Sequence, residues 1–181
     1  MTMTFKEIKE SEVIMTELML PSHSNFNGKI HGGYVLSLLD QIAFACASKH
    51  SRAYCVTASV DTVDFLRPIE IGELVTMKAS VNYVGRSSMV IGIRVEAENI
   101  QSGEIKHCNS STFTMVAKDS DGKSLPVPGL ILKTDNDIRR FAKSLKRIAM
   151  KRNRKQEFHD TDFISEEYLH IQELENVKIE R

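Results

Sequence analysis

One helical stretch restricts the fold more than any other feature. From Gly33 to about His50 the residues GYVLSLLDQIAFACASKH have the length and the Leu and Ala content of an α-helix, with apolar side chains on nearly every face. A helix of that kind is expected to be buried all round, so another layer has to wrap it.

The segments around it supply such a layer. Residues 11–19 are mostly apolar and bounded by Pro21, which predicts an edge strand, and the loop PSHSNFNGKIHGG that follows is rich in turn formers. After the helix, Val56, Ala58 and Val60 alternate with polar residues before Val63 and Phe65 shift the phase and Pro68 ends the strand. Val75, Met77, Ala79, Val81 and Tyr83 alternate with Thr76, Lys78, Ser80 and Asn82, the period of a half-buried strand. The period returns in Met89, Ile91, Ile93, Val95 and Ala97, and Gly85-Arg86 between the two runs predicts a hairpin. A further strand spans about Ile105 to Val116, after the turn Gln101-Ser102-Gly103. The fold class expected is α+β, a curved antiparallel sheet wrapped around one long central helix.

The core is expected to end near Lys118, with DSDGKSLPVPGL as a loop. Thr134 and Asp137 form a capping box ahead of an amphipathic helix on Ile138, Phe141, Leu145 and Ile148, whose other face is basic. From Glu157 onward the charge turns acidic. The expected organisation is a domain over residues 1–132, a basic amphipathic helix over 133–155 and an acidic tail over 156–181.

Composition narrows the function. Lys plus Arg and Asp plus Glu number 24 each in 181 residues, so no overall field draws the chain to nucleic acid or an anionic membrane. Cys46, Cys55 and Cys108 are odd in number, widely spaced and without a CxxC pair, which argues against disulfides and zinc. The start, MTMTFKEIKE, carries charge where a secretory signal is apolar, and no window reaches the length of a membrane span. A cytoplasmic protein without membrane insertion or metal is expected.

Asp40 is the one side chain certain to carry charge between Lys29 and Lys49, and it falls in the middle of the most apolar helix. A buried carboxylate is costly unless it is paired or serves a reaction, and the helix pattern leaves both readings open. His31-Gly32-Gly33 opens the same helix, where two glycines let a ligand approach backbone amides at the positive end of the dipole, a place suited to an oxyanion; relief of crowding against a strand is the alternative. Eight residues of helix put Asp40 roughly 12 Å from Gly32 along the axis. If both act on one carbonyl, the site combines the helix start of one subunit with the Asp of another, and the protein is at least a dimer.

NGKIHGGYVLSLLD followed by TASVDTVDFLRPIEIGELV, and DGKSLPVPGL followed by a charged helix, resemble the hotdog-fold acyl-CoA thioesterases, in particular the cytosolic acyl-CoA hydrolase branch, over roughly residues 10 to 155. The resemblance implies a homo-oligomer that pairs edge to edge and assembles as a trimer of dimers, a hexamer. It implies fatty acyl-CoA as substrate, with coenzyme A part of substrate and product and no other cofactor, and Asp40 as general base or nucleophile. It places a substrate-orienting Asn in the loop before HGG, here Asn27, which as a residue type is equally an ordinary turn former. It puts Arg86, Ser87 and Ser88 near the coenzyme A phosphates, where a polar hairpin turn is the alternative. A hydratase or dehydratase on the same fold and a non-enzymatic acyl-CoA or nucleotide-binding module are the competing functions.

Overall fold

The computed structural model describes residues 4–61 and 63–160. The chain runs β1 (Phe5–Glu7), α1 (Ile8–Ser11), β2 (Val13–Leu18), a 3-10 turn (Pro21–His23), α2 (Gly32–Ser51), β3 (Tyr54–Val60), β4 (Asp64–Phe65), β5 (Glu73–Val84), β6 (Ser88–Asn99), β7 (Ile105–Lys118), β8 (Gly129–Ile131) and α3 (Asp135–Asp160). It divides after Ser144 into two compact units, so the first holds every described strand and α2, while α3 runs on into the second.

The main sheet is antiparallel in the order β2-β5-β6-β7-β3, with β4 added on β7. Its centre follows from the period-2 pattern. Val75, Met77, Ala79 and Val81 of β5 face Ala97, Val95, Ile93 and Ile91 of β6 in register, and all eight are buried. Helix α2 packs on this face, where Leu38, Leu39, Ile42, Ala43, Cys46 and Ala47 join Met77, Met89, Phe113 and Met115 in one core. Each fully buried Leu, Ile, Met or Phe side chain contributes ~1.5–3 kcal/mol, so the contact of helix and sheet holds the unit together.

Several expectations change. Helix α2 is not buried all round: Leu36 and Phe44 are 36% and 40% exposed, and Ser37, Asp40 and Gln41 face out with them. The sheet covers one side of the helix, and Leu36, Asp40 and Phe44 recur every four residues on the other. In β3 the buried residue is Cys55, not the Val56, Ala58, Val60 set: Cys55 and Thr57 are the residues that bond to α2, the bulge between Thr57 and Ser59 breaks the alternation beyond them, and the strand is an edge. A bulge between Val81 and Tyr83 also breaks the β5 alternation. Val84 packs on the core, while Tyr83 is carried to the Ser80 face and meets Phe141 of α3, ring centroids 5.3 Å apart.

The core does not end at Lys118. Val127 is buried, Leu125 and Leu130 pack on the core, and β8 pairs in parallel with β1. Gly129 allows that pairing, since a Cβ there would lie 2.5 Å from the Phe5 ring. The capping box forms, Asp137 N–H donating to Thr134 Oγ1 and Thr134 N–H to Asp137 Oδ2, each 3.1 Å. Of the predicted apolar stripe, Phe141 is half-buried and Ile138, Leu145 and Ile148 are exposed. Residues 161–181 of the acidic tail lie outside the described residues. No described helix is long and apolar enough to cross a membrane. All three cysteines are free and buried, and among the described residues no group of His, Cys, Asp or Glu is placed to hold a metal ion.

Candidate active site

The loop from Leu20 to His31 sets up the start of α2. Asn25 is its organiser: its side-chain oxygen accepts from the N–H groups of Asn27 (2.9 Å) and Lys29 (3.2 Å), while its own N–H donates to the Lys29 carbonyl (2.7 Å). Gly28 takes φ 71°, a left-handed conformation that turns the chain back toward the Ser24–Ile30 bridge. Lys29 pairs with Glu70 at 2.6 Å and anchors the loop's far side. Asn27 stands exposed at the tip and contributes a backbone donor to the turn.

His31 caps α2. Its Nδ1 accepts the Gly33 N–H at 3.0 Å, so of the two predicted oxyanion amides Gly33 is already engaged. A Cβ on residue 33 would lie 3.1 Å from His31 Nδ1, close enough that the capping imidazole would have to give by a few tenths of an ångström. The Gly32 amide has no acceptor among the described residues, and it sits at the first position of a 20-residue helix, where the dipole favours negative charge. The Phe65 ring covers Gly32 at 3.4 Å from a built Cβ, an ordinary contact distance. One residue further, Tyr34 donates to the Glu17 carboxylate and stacks on His23, centroids 3.9 Å apart. That donated bond, with burial, pushes the Tyr34 hydroxyl up to about 12. The stack and the bond tie the first turn of α2 to β2 and to the loop.

Asp40 lies two turns on, on the uncovered face. Thr57 Oγ1 of β3 donates to Asp40 Oδ1 at 2.5 Å, and Asp40 Oδ2 has no partner among the described residues. Asp40, Gln41, Phe44, Tyr54, Thr57 and Met115 line a pocket of about 560 Å³. Phe44 and Tyr54 meet edge to face at 5.9 Å on its wall. A carboxylate held by one hydroxyl, with a free oxygen over a half-apolar pocket, is equipped to take a proton from water or to attack an electrophile. None of Asn27, Gly32, Gly33, Arg86, Ser87 or Ser88 lines that pocket, so within one chain the structure does not bring the predicted site residues together.

The hairpin residues are elsewhere. The carbonyls of Ser87 and Arg86 accept from Ala117 N–H and Val127 N–H, both 3.0 Å. The Arg86 side chain is exposed and borders a separate cavity. Sequence reasoning passed over Asn25 and Thr57. The S-N-F-N-G run signalled a turn but not which Asn builds it, and Thr57 reads as an ordinary strand residue until β3 is seen beside α2.

The thioesterase superfamily model matches residues 27–104. Protein VdlD of Helicobacter pylori is 43% identical over 148 residues, covering 82% of this chain and 84% of that protein. The chain belongs to the thioesterase superfamily. Another member, the uncharacterized acyl-CoA thioester hydrolase YkhA of Bacillus subtilis, is 37% identical over 81% of this chain and 86% of its own length. An apo-hexameric acyl-CoA thioesterase superposes with a TM-score of 0.81 at 35% identity, covering 87% of this chain and 99% of that one. An acyl-CoA hydrolase from Staphylococcus aureus, in complex with butyryl coenzyme A, coenzyme A and coenzyme A disulfide, does so with 0.79 at 30% identity, covering 91% and 98%. It has also been solved with an asparagine, an aspartate or a threonine replaced by alanine. The sheet curled around α2 is the hotdog fold of this superfamily.

Proposed function

We propose that this thioesterase hydrolyses fatty acyl-CoA to fatty acid and coenzyme A, with Asp40 acting on a thioester carbonyl polarised by the Gly32 amide of a second copy. The observation that carries the reading is Asp40 Oδ2, open over its pocket while Thr57 fixes the other oxygen. Gly32 is roughly 12 Å away along α2, too far to serve the same carbonyl from one chain. The face of α2 bearing Asp40 also bears Leu36 and Phe44, and β3 beside it is an edge strand, so a second copy docked there would cover apolar side chains and complete the site together. The hexameric state of a similar thioesterase supports an oligomer, and a trimer of dimers is the arrangement proposed.

In the step proposed, water loses a proton to Asp40 as its oxygen bonds to the carbonyl carbon, and the oxyanion is held by Gly32 N–H. The C–S bond then breaks, the thiolate of coenzyme A leaves, and the proton is returned from Asp40. In the second form of the step Asp40 attacks the carbonyl itself, giving a mixed anhydride that water opens. Hydrolysis in ¹⁸O-water under single turnover separates them, since only the anhydride route carries the label through the Asp40 side chain.

Asn25, Asp40 and Thr57 keep the sequence spacing of the asparagine, aspartate and threonine replaced in the Staphylococcus aureus hydrolase. On that spacing and on its place at the centre of the loop, Asn25 is proposed as the orienting residue in preference to Asn27. Arg86, Ser87 and Ser88 are proposed for the coenzyme A phosphates on the chemistry of a guanidinium and two hydroxyls. A cytoplasmic location is part of the same reading. The test is release of free thiol from acyl-CoA by wild type and by Asp40→Asn. Thiol release lost in the variant, with fold and assembly kept, supports the function; double-bond change without thiol would assign a hydratase instead.

A further inference from the structure

A second cavity, of about 1000 Å³, lies in the first unit and shares no lining residue with the Asp40 pocket. Ser51, the last residue of α2, borders it, roughly 16 Å along the helix axis from Asp40. Its volume matches the ~300–1,000 Å³ of small-molecule sites. The pairing of β1 with β8 builds one side, and the bond from Val127 N–H to the Arg86 carbonyl holds the β5–β6 hairpin over it.

The chemistry of the lining is divided. Val84, Val127, Leu130, Leu132 and Phe141 give apolar walls, and Arg86 stands at the rim with no carboxylate paired to its guanidinium among the described residues. An adenine nucleotide can lay only the two faces of its base against such walls, and its ribose and phosphates gain nothing from them. A hydrocarbon chain gains from all of them, and an exposed guanidinium pairs a carboxylate through two parallel hydrogen bonds. The proposed reaction releases a molecule with those two ends.

We infer that this cavity binds a long-chain fatty acid, carboxylate on Arg86 and chain among Val84, Val127, Leu130, Leu132 and Phe141, and that the acid inhibits the enzyme from there. The inference takes from the thioesterase reading only the source of the acid and the proposed use of Arg86 for coenzyme A phosphates. Acid and coenzyme A then contend for one guanidinium, so the acid raises KM and leaves kcat unchanged, although it never enters the Asp40 pocket.

The test is binding of hexadecanoate, kept below its micellar concentration, to the full chain by equilibrium dialysis, together with its effect on acyl-CoA turnover. Wild type is expected to bind one acid per chain and to show inhibition competitive with acyl-CoA. Arg86→Gln should weaken acid binding at least tenfold, and Leu132→Trp, which fills the cavity from a half-buried position, should remove binding and inhibition while KM for a short acyl-CoA stays within twofold. Thr4→Trp fills it from the exposed rim and replaces Leu132→Trp if that protein fails to assemble. Hexadecanol bound as tightly as the acid, inhibition unchanged in the filled variant, or a raised KM in the filled variant would overturn the inference, the last by giving the cavity to coenzyme A. Asp40→Asn should bind the acid as wild type does. Acid binding that depends on Arg86 in a protein without hydrolase activity would leave the site standing and remove the thioesterase reading; activity lost in Asp40→Asn with no acid bound by wild type would do the reverse.

Discussion

The two faces of α2 carry similar residue types and have opposite fates. Leu38, Leu39, Ile42 and Cys46 vanish into the sheet, whereas Leu36, Asp40 and Phe44, on the same helix, remain at the surface of the chain. The inner face is closed by this chain's own strands and governs stability. The outer face is an apolar surface with a carboxylate in it, and it is the face on which the proposed activity and assembly rest. Apolar content alone therefore states how much of a helix is to be covered, not whether the cover comes from the same chain.

Substitutions on the two faces should separate cleanly. Asp40→Asn on the outer face is expected to lower turnover by ~10²–10⁴ with the melting temperature and oligomeric state unchanged, measured by thiol release, calorimetry and sedimentation. Ile42→Ala on the inner face should cost ~2–5 kcal/mol of stability in denaturant titration, with activity per folded molecule retained. An Ile42→Ala protein that loses activity while keeping its stability would erase the distinction. Thr57→Val keeps the shape of the side chain and removes the hydrogen bond to Asp40, and kcat is expected to fall roughly ten- to a hundredfold, the range set by the ~1.5–3 kcal/mol of a hydrogen bond to a charged group.

The smallest effect belongs to the closed end of the inner face. His50 is buried, its Nε2 against the Pro128 carbonyl at 2.9 Å and its Nδ1 unpartnered, and burial depresses the imidazole below its ordinary value of 6.5. The unfolded chain takes up the proton first as the pH falls. Stability from this residue is thus full above pH 6.5, declines as the pH drops through 6.5, and levels off below the folded-state value. Melting temperatures followed from pH 7.5 downward should fall less steeply for His50→Gln than for wild type.

Much of this was legible in the sequence where one residue pattern meets one physical cause. The β5 and β6 alternation named the buried face correctly as far as Val81, and the capping box at Thr134 and Asp137 forms as read. The failures share a different origin. Tyr83 changes face because of a bulge, which adds a residue without altering composition. Strands β1 and β8 are three residues each, too short to show a period, and they depend on a close approach of Phe5 to Gly129 that joins distant parts of the chain. At the site, Asp40 stood out because a charge in an apolar helix is rare. Asn25 and Asn27 are two residues apart in one loop, and only the backbone turn distinguishes the Asn that accepts two N–H groups from the one at the tip. Gly33 lost its free amide to His31, a capping choice that the HGG motif does not record.

The composite site is tested most directly by pairing two inactive proteins. Gly32→Pro deletes the amide N–H at the first helical position, where proline is tolerated, and the extended His31 (φ −65°, ψ 127°) suits the residue before it. Alone, Gly32→Pro and Asp40→Asn should each be nearly dead. Co-expressed and randomly paired, half of the dimers are mixed and each mixed dimer holds one intact Gly32–Asp40 site, so turnover should return to about a quarter of wild type. Mixed assemblies that form and stay inactive would contradict a site shared between chains.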